Sequence, residues 1–139
     1  MQLRGVFERL SSLLLLGTLI LLSGCGGPTV IPVSGTATVD GKPLSGFVLS
    51  FVPDETKGHS AQIDCFGAIG ADGRYSLVTD DRYAQYDGAP PGWYKVTINS
   101  PDDKPIPVHK RYQGINSSDL SIEVTADAPP GAYDLKFAK

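Results

Sequence analysis

The chain has 139 residues, a formal net charge of −3 and only two cysteines. Residues 1–24 carry Arg4, Arg9 and Glu8, so the remaining 115 residues have a net charge of −4. This mild acidity argues against nucleic acid or anionic lipid headgroups as partners. The length is sufficient for one domain with a core of its own.

The first 24 residues have the layout of a secretory signal peptide. Arg4 and Arg9 form a short charged start, the run from Leu10 to Leu22 is apolar, and small residues precede Cys25. The apolar run of 13 residues is shorter than the ~20 residues of a spanning helix. Two alternatives remain open on these grounds: an uncleaved membrane anchor, and an ordinary signal peptide that is cut elsewhere.

The segment Leu22-Ser23-Gly24-Cys25 resembles the lipobox of bacterial lipoproteins. The resemblance implies that the thiol of Cys25 receives a diacylglyceryl group and that cleavage leaves Cys25 as the acylated N-terminus. Residues 1–24 are then a lipoprotein signal peptide, and residues 25–32, rich in glycine and proline, are a flexible tether. The expected location is the cell envelope, facing the periplasm or the cell exterior. Bacterial lipoproteins with aspartate at the position of Gly26 are often retained in the inner membrane. Because this chain has glycine there, the outer membrane is favoured.

Residues 33–139 are predicted to form one all-β domain. Seven segments alternate apolar and polar residues with the period of two that is typical of strands. These segments are residues 33–39, 47–52, 61–69, 74–79, 93–99, 120–124 and 133–137. Asp40-Gly41 predicts a tight turn, and residues 80–88 are predicted as a loop. With no sustained helical period, the pattern predicts a single antiparallel seven-stranded β-sandwich of immunoglobulin-like type.

The polar residues do not form a recognisable catalytic, cofactor or metal pattern. His59 and His109 are predicted to be exposed loop histidines, with metal binding as the alternative. Cys65 is predicted to be a small buried hydrophobic residue, with an intermolecular disulfide or a reactive thiol as alternatives. The sequence therefore predicts that the protein is not an enzyme, and it predicts no cofactor.

The candidate ligand-binding residues are aromatic. Tyr83, Tyr86 and Trp93 lie in one aromatic-rich zone, with Tyr112 as a further member. Exposed aromatic side chains on loops at one end of a sandwich can bind sugars or protein partners. The alternative is that they pack over the end of the sandwich as a cover.

Three segments, residues 33–53, 70–77 and 89–98, together resemble the carboxypeptidase-regulatory-like domains. The resemblance is greatest to the small lipoproteins of that type in planctomycete-like bacteria, and it covers residues 33–137. It implies a transthyretin-like β-sandwich with an accessory, scaffolding or binding role and no catalytic residues. The expected function is a non-enzymatic, lipid-anchored interaction or structural module with an envelope protein or glycan as partner. The alternative is a carrier that binds a carbohydrate or small molecule through the loop aromatics.

Overall fold

The structure is a computed structural model that describes residues 28–59 and 63–139. The predicted signal peptide and Cys25 lie outside these residues. The described part of the chain is all-β, as predicted, with two short 3₁₀ turns (Glu55–Lys57 and Lys110–Gln113) and no α-helix. The ten strands are β1 (Ser34–Val39), β2 (Lys42–Pro43), β3 (Val48–Pro53), β4 (Cys65–Ala68), β5 (Arg74–Ser76), β6 (Val78–Asp80), β7 (Gln85–Asp87), β8 (Gly92–Asn99), β9 (Ser121–Val124) and β10 (Leu135–Phe137). No helix within these residues is long and apolar enough to cross a membrane.

Six strands form the larger sheet, in the order β7-β6-β4-β3-β8-β9, with every neighbouring pair antiparallel. The alternation of side chains along each strand explains why one face of this sheet is buried and the other is more exposed. Along β3, Leu49 and Phe51 are fully buried, whereas Val48 and Val52 on the opposite face are only half-buried. Phe51 opposes Val96 of β8 on one side, and on the other side it opposes the first residue of β4.

The smaller sheet is built around β1. Its first half pairs with β5, and its second half pairs with β2 on one side and β10 on the other. The predicted turn at Asp40-Gly41 is confirmed, because both residues have positive φ angles, of 49° and 75°, and join β1 to β2.

One hydrophobic core lies between the two sheets. Phe51 of the larger sheet packs against Tyr75 of the smaller sheet, with 6.2 Å between ring centroids. The Tyr75 hydroxyl donates a buried hydrogen bond to the carbonyl of Tyr133, just before β10. Burial raises the pKa of Tyr75, which keeps this hydroxyl protonated as a donor.

The predicted count of seven strands is wrong, because three features divide or add strands. The predicted strand 74–79 divides at Leu77, where the chain passes from β5 in the smaller sheet to β6 in the larger one. The predicted loop 80–88 contains β7, and residues 42–43 form β2 directly after the turn. Each added strand is only two or three residues long, too short for an alternation of hydrophobicity to be visible in the sequence.

The prediction that all strands are antiparallel is also wrong at one place. β10 runs parallel to β1, with Ala37 opposite Leu135 and Val39 opposite Phe137. β10 follows β9, which belongs to the other sheet, through a connection of ten residues. Because that connection is not a hairpin, it does not force an antiparallel direction on the returning strand.

Candidate functional site at one end of the larger sheet

The register of the larger sheet brings several exposed loops together at one of its ends. Pro53 at the end of β3 opposes Tyr94 near the start of β8, so the 3₁₀ turn 55–57 follows at the same level as Trp93. The hairpin turn 81–84 between β6 and β7 lies at this level too, because Cys65, opposite Phe51, pairs with Thr79. We call this the tether end and define it as residues 54–59, 81–84 and 90–93.

Trp93 is half-buried at the tether end and lies beneath a lysine. The ammonium of Lys57 is 3.8 Å from the centroid of the indole ring, a distance typical of a cation–π contact. On the neighbouring strand β9, Glu123 lies directly opposite Trp93. The indole therefore has charged groups around it while part of its surface reaches solvent.

The turn that carries Lys57 is fixed by a buried carboxylate. Asp54 caps the 3₁₀ turn by accepting hydrogen bonds from the N–H and the hydroxyl of Thr56. These bonds, that of the hydroxyl first, lower the pKa of Asp54 below its usual value, although burial acts in the opposite direction. Asp54 therefore holds the turn in place as an ionised group at neutral pH.

His59 fixes the end of the same segment against β8. Its Nδ1 lies 2.8 Å from the carbonyl oxygen of Trp93, and its ring meets that of Tyr94 edge-on, with 4.7 Å between centroids. Gly92 permits this approach, because a Cβ there would lie 2.7 Å from the imidazole. The prediction that both histidines are exposed is wrong for His59, which is half-buried. The side chain of His109 is exposed, as predicted.

Tyr83 projects from the tip of the β6–β7 hairpin, with 94% of its surface exposed. The carboxylate of Asp81 accepts the N–H groups of Ala84 and Tyr83 at 2.9 and 3.0 Å, and these bonds lower its pKa. Arg82 adopts a positive φ of 77° in the same turn. Tyr83 is therefore presented to solvent by an ordered turn.

Tyr86 lies on β7 and is half-buried. Desolvation, and to a smaller extent the negative charge of Asp81, raise the pKa of its hydroxyl.

The structure does not bring the four predicted aromatic residues into one pocket. Tyr112 is 5% exposed and packs edge-on against Phe137, with 5.0 Å between ring centroids, in the core. Tyr83 and Trp93 share the tether end, but the strands β4 and β3 lie between the β6–β7 hairpin, which carries Tyr83, and β8, which carries Trp93.

Buried polar groups explain how Cys65 is accommodated. Its Sγ lies 3.2 Å from the hydroxyl of Thr79, which donates to the carbonyl of Gly88. Burial raises the pKa of the Cys65 thiol, so the reactive thiolate is disfavoured. Among residues 28–59 and 63–139, no group of three or more His, Cys, Asp or Glu side chains is arranged to hold a metal ion.

A cleft of about 560 Å³ lies at the opposite end of β8, which we call the far end and define as residues 45–48 and 98–113. Ile98, Ile106 and Val108 contribute its apolar surface. The hydroxyl of Ser100, which also lines the cleft, is buried without a hydrogen-bond partner in the described structure. Lys110 lies on its wall. Nothing in the sequence pattern indicated this cleft, because most of its lining comes from the irregular segment after β8.

No protein-family model, curated protein or solved structure matches this chain. The similarity to carboxypeptidase-regulatory-like domains therefore stays a prediction from the three sequence segments.

Proposed function

We propose that this protein is a non-enzymatic interaction or structural module of the cell envelope, held at a membrane by lipid on Cys25. In this proposal its two sheets form a sandwich of the transthyretin-like or immunoglobulin-like type. The hydroxyl of Tyr94 donates to the carbonyl of Pro90, four residues upstream, at 2.7 Å. A tyrosine bonded back to the chain just before its own strand is a feature of immunoglobulin-like sandwiches.

One observation carries the proposed anchor. Leu22-Ser23-Gly24-Cys25 follows an apolar run that is too short to span a bilayer comfortably. Six residues after Cys25, Ile31 is already bound to the folded domain by a bridge to Ala89. A protein acylated at Cys25 would therefore carry its domain close to the membrane surface.

The environments of Cys65 and His59 support a non-enzymatic role. The Cys65 thiol is buried and its pKa is raised, which is opposite to the activation that a nucleophilic thiol requires. One ring nitrogen of His59 is already occupied by the carbonyl of Trp93. The partner in this proposal is an envelope protein or a glycan, bound without covalent chemistry.

The anchor is tested by following lipid incorporation into the full-length protein in a bacterium that processes lipoproteins. Wild type and Cys65→Ala are expected to incorporate labelled fatty acid, and Cys25→Ala is expected to lose the label. Globomycin, which blocks lipoprotein signal processing, is expected to leave the protein at the higher mass of the unprocessed form. Equal labelling of Cys25→Ala and wild type, or an unchanged mass with globomycin, contradicts the proposal.

A second candidate function, carriage of a small polar molecule, is favoured by the far-end cleft. A buried hydroxyl without a partner costs about 1–3 kcal/mol, and Ser100 is such a group at the wall of the cleft. Calorimetric titration with a panel of saccharides and small carboxylates tests it. Binding that is weakened by Lys110→Ala and unchanged by Lys136→Ala, on an exposed strand position, supports a carrier. Absence of heat across the panel contradicts it.

A further inference from the structure

The path of the N-terminal segment shows which end of the domain is closest to Cys25. The N–H of Ile31 donates to the carbonyl of Ala89 at 2.8 Å, and the N–H of Ala89 donates back at 3.0 Å. The pairing is antiparallel, so residues before Ile31 run alongside Pro90–Gly92, towards the start of β8. The chain therefore leaves the domain at the tether end.

The remaining length of chain keeps that end close to the anchor. Cys25 and Ile31 are six residues apart in the sequence. Six residues span at most about 21 Å when fully extended. An acyl-bearing Cys25 lies at the membrane surface, so Ile31 cannot be further than that from the headgroups.

Two aromatic residues of the tether end, the exposed Tyr83 and the half-buried Trp93, are suited to a wide, flat partner. The strands β4 and β3 lie between the hairpin that carries Tyr83 and the strand that carries Trp93. A broad surface can contact two residues that are separated in this way. Tyrosine and tryptophan are the residues that settle at the boundary between headgroups and acyl chains, because each combines an apolar ring with a polar atom.

We propose that the tether end faces the bilayer and that Tyr83 and Trp93 rest in the headgroup layer when Cys25 is acylated. This inference depends on the proposed lipid anchor. The contact is aromatic and not electrostatic, because each cation at this end has an acidic neighbour. Lys57 shares its turn with Glu55, and Arg82 lies next to Asp81. Zwitterionic lipid is therefore sufficient, and salt does not remove the contact.

The only tryptophan of the chain, Trp93, reports directly on this contact. The acylated protein is inserted into phosphatidylcholine vesicles that contain a lipid with a nitroxide quencher on its headgroup. Trp93 is expected to lose most of its emission. A matched reporter at the far end, Trp93→Phe combined with Ser45→Trp at an exposed position, is expected to keep most of its emission. Tyr83→Ser is expected to reduce the quenching of Trp93.

Flotation of the same vesicles separates failure of the anchor from failure of the orientation. Protein that does not float with the vesicles contradicts the proposed lipid anchor. Protein that floats but shows equal quenching of the two reporters overturns the orientation alone, and leaves the aromatic residues for a glycan or protein. Loss of the Trp93 quenching in concentrated sodium chloride also overturns the aromatic contact, because screening removes only electrostatic binding.

Discussion

Replacement of Gly88 by alanine tests the bridge between the N-terminal segment and the domain. Gly88 has a φ of +133°, a conformation that side-chain-bearing residues rarely adopt. A Cβ at this position would clash with the carbonyl oxygen of Ile31, which is a backbone atom and cannot move by a change of rotamer. Gly88→Ala therefore strains the backbone at residue 88 and also separates Ile31 from Ala89.

The structure gives an expected size for this effect. The backbone strain costs about 1–3 kcal/mol, and loss of the two Ile31–Ala89 hydrogen bonds costs about 1 kcal/mol each. The sum is about 3–5 kcal/mol. At about 4 °C per kcal/mol for a domain of this size, the melting temperature should fall by about 12–20 °C.

Gly46→Ala is the matched control for Gly88→Ala. Gly46 has a φ of +78°, but no heavy atom lies within 4 Å of a Cβ built on it. Only the conformational cost of about 1–2 kcal/mol applies there. Urea unfolding followed by Trp93 fluorescence measures both variants. If Gly88→Ala is no less stable than Gly46→Ala, the close approach of Ile31 to Gly88 does not exist in solution.

Three further predictions concern the buried polar groups. Tyr75→Phe leaves the Tyr133 carbonyl without its donor and should lower the free energy of unfolding, measured in urea, by about 1–3 kcal/mol. The control Tyr83→Phe, at an exposed position, should change it by less than about 0.5 kcal/mol. Equal losses in the two variants would contradict the buried hydrogen bond. Cys65 should not react with a chromogenic thiol reagent in the native protein and should react fully in guanidinium, and rapid native reaction would show that the thiol is accessible. Because the folded-state pKa of Asp54 is lowered, its carboxylate stabilises the fold above the unfolded pKa of about 3.9, and this stability is lost as the pH falls through the folded value. The advantage of wild type over Asp54→Asn should therefore be present at pH 7 and shrink below about pH 4, and an advantage independent of pH would contradict this role.

The sequence was sufficient to predict the all-β class, because the alternation within a strand is a local property. In β3 and β8 the alternating apolar residues are those that lie in the core. The Asp40-Gly41 turn was equally predictable, since its positive φ angles need residues of that type. The division at Leu77 was not, because one side chain can continue the alternation of two strands that belong to different sheets.

The positions of the candidate site residues depend on contacts between distant parts of the chain. Tyr112 lies in a segment with prolines and little alternation, yet it fills the core against Phe137. The position of His59 depends on Gly92, 33 residues later, having no side chain. A pattern within one segment carries no information about such pairs. The composition could indicate aromatic residues in loops, but only the register of the larger sheet shows that Tyr83 and Trp93 share one end without sharing a pocket.

In the acylated form that we propose, the bridge at Ile31 couples the stability of the domain to its orientation on the membrane. The segment predicted as a tether extends to residue 32, but Ile31 is already paired with Ala89, so the tether ends before residue 31. A shorter tether permits fewer orientations, so the bridge favours contact of the tether end with lipid. Acylated Gly88→Ala, studied at a temperature where it is still folded, should therefore show weaker headgroup quenching of Trp93 than Gly46→Ala does. Equal quenching in the two variants would mean that the aromatic contacts alone, and not the point at which the chain leaves the domain, determine the orientation.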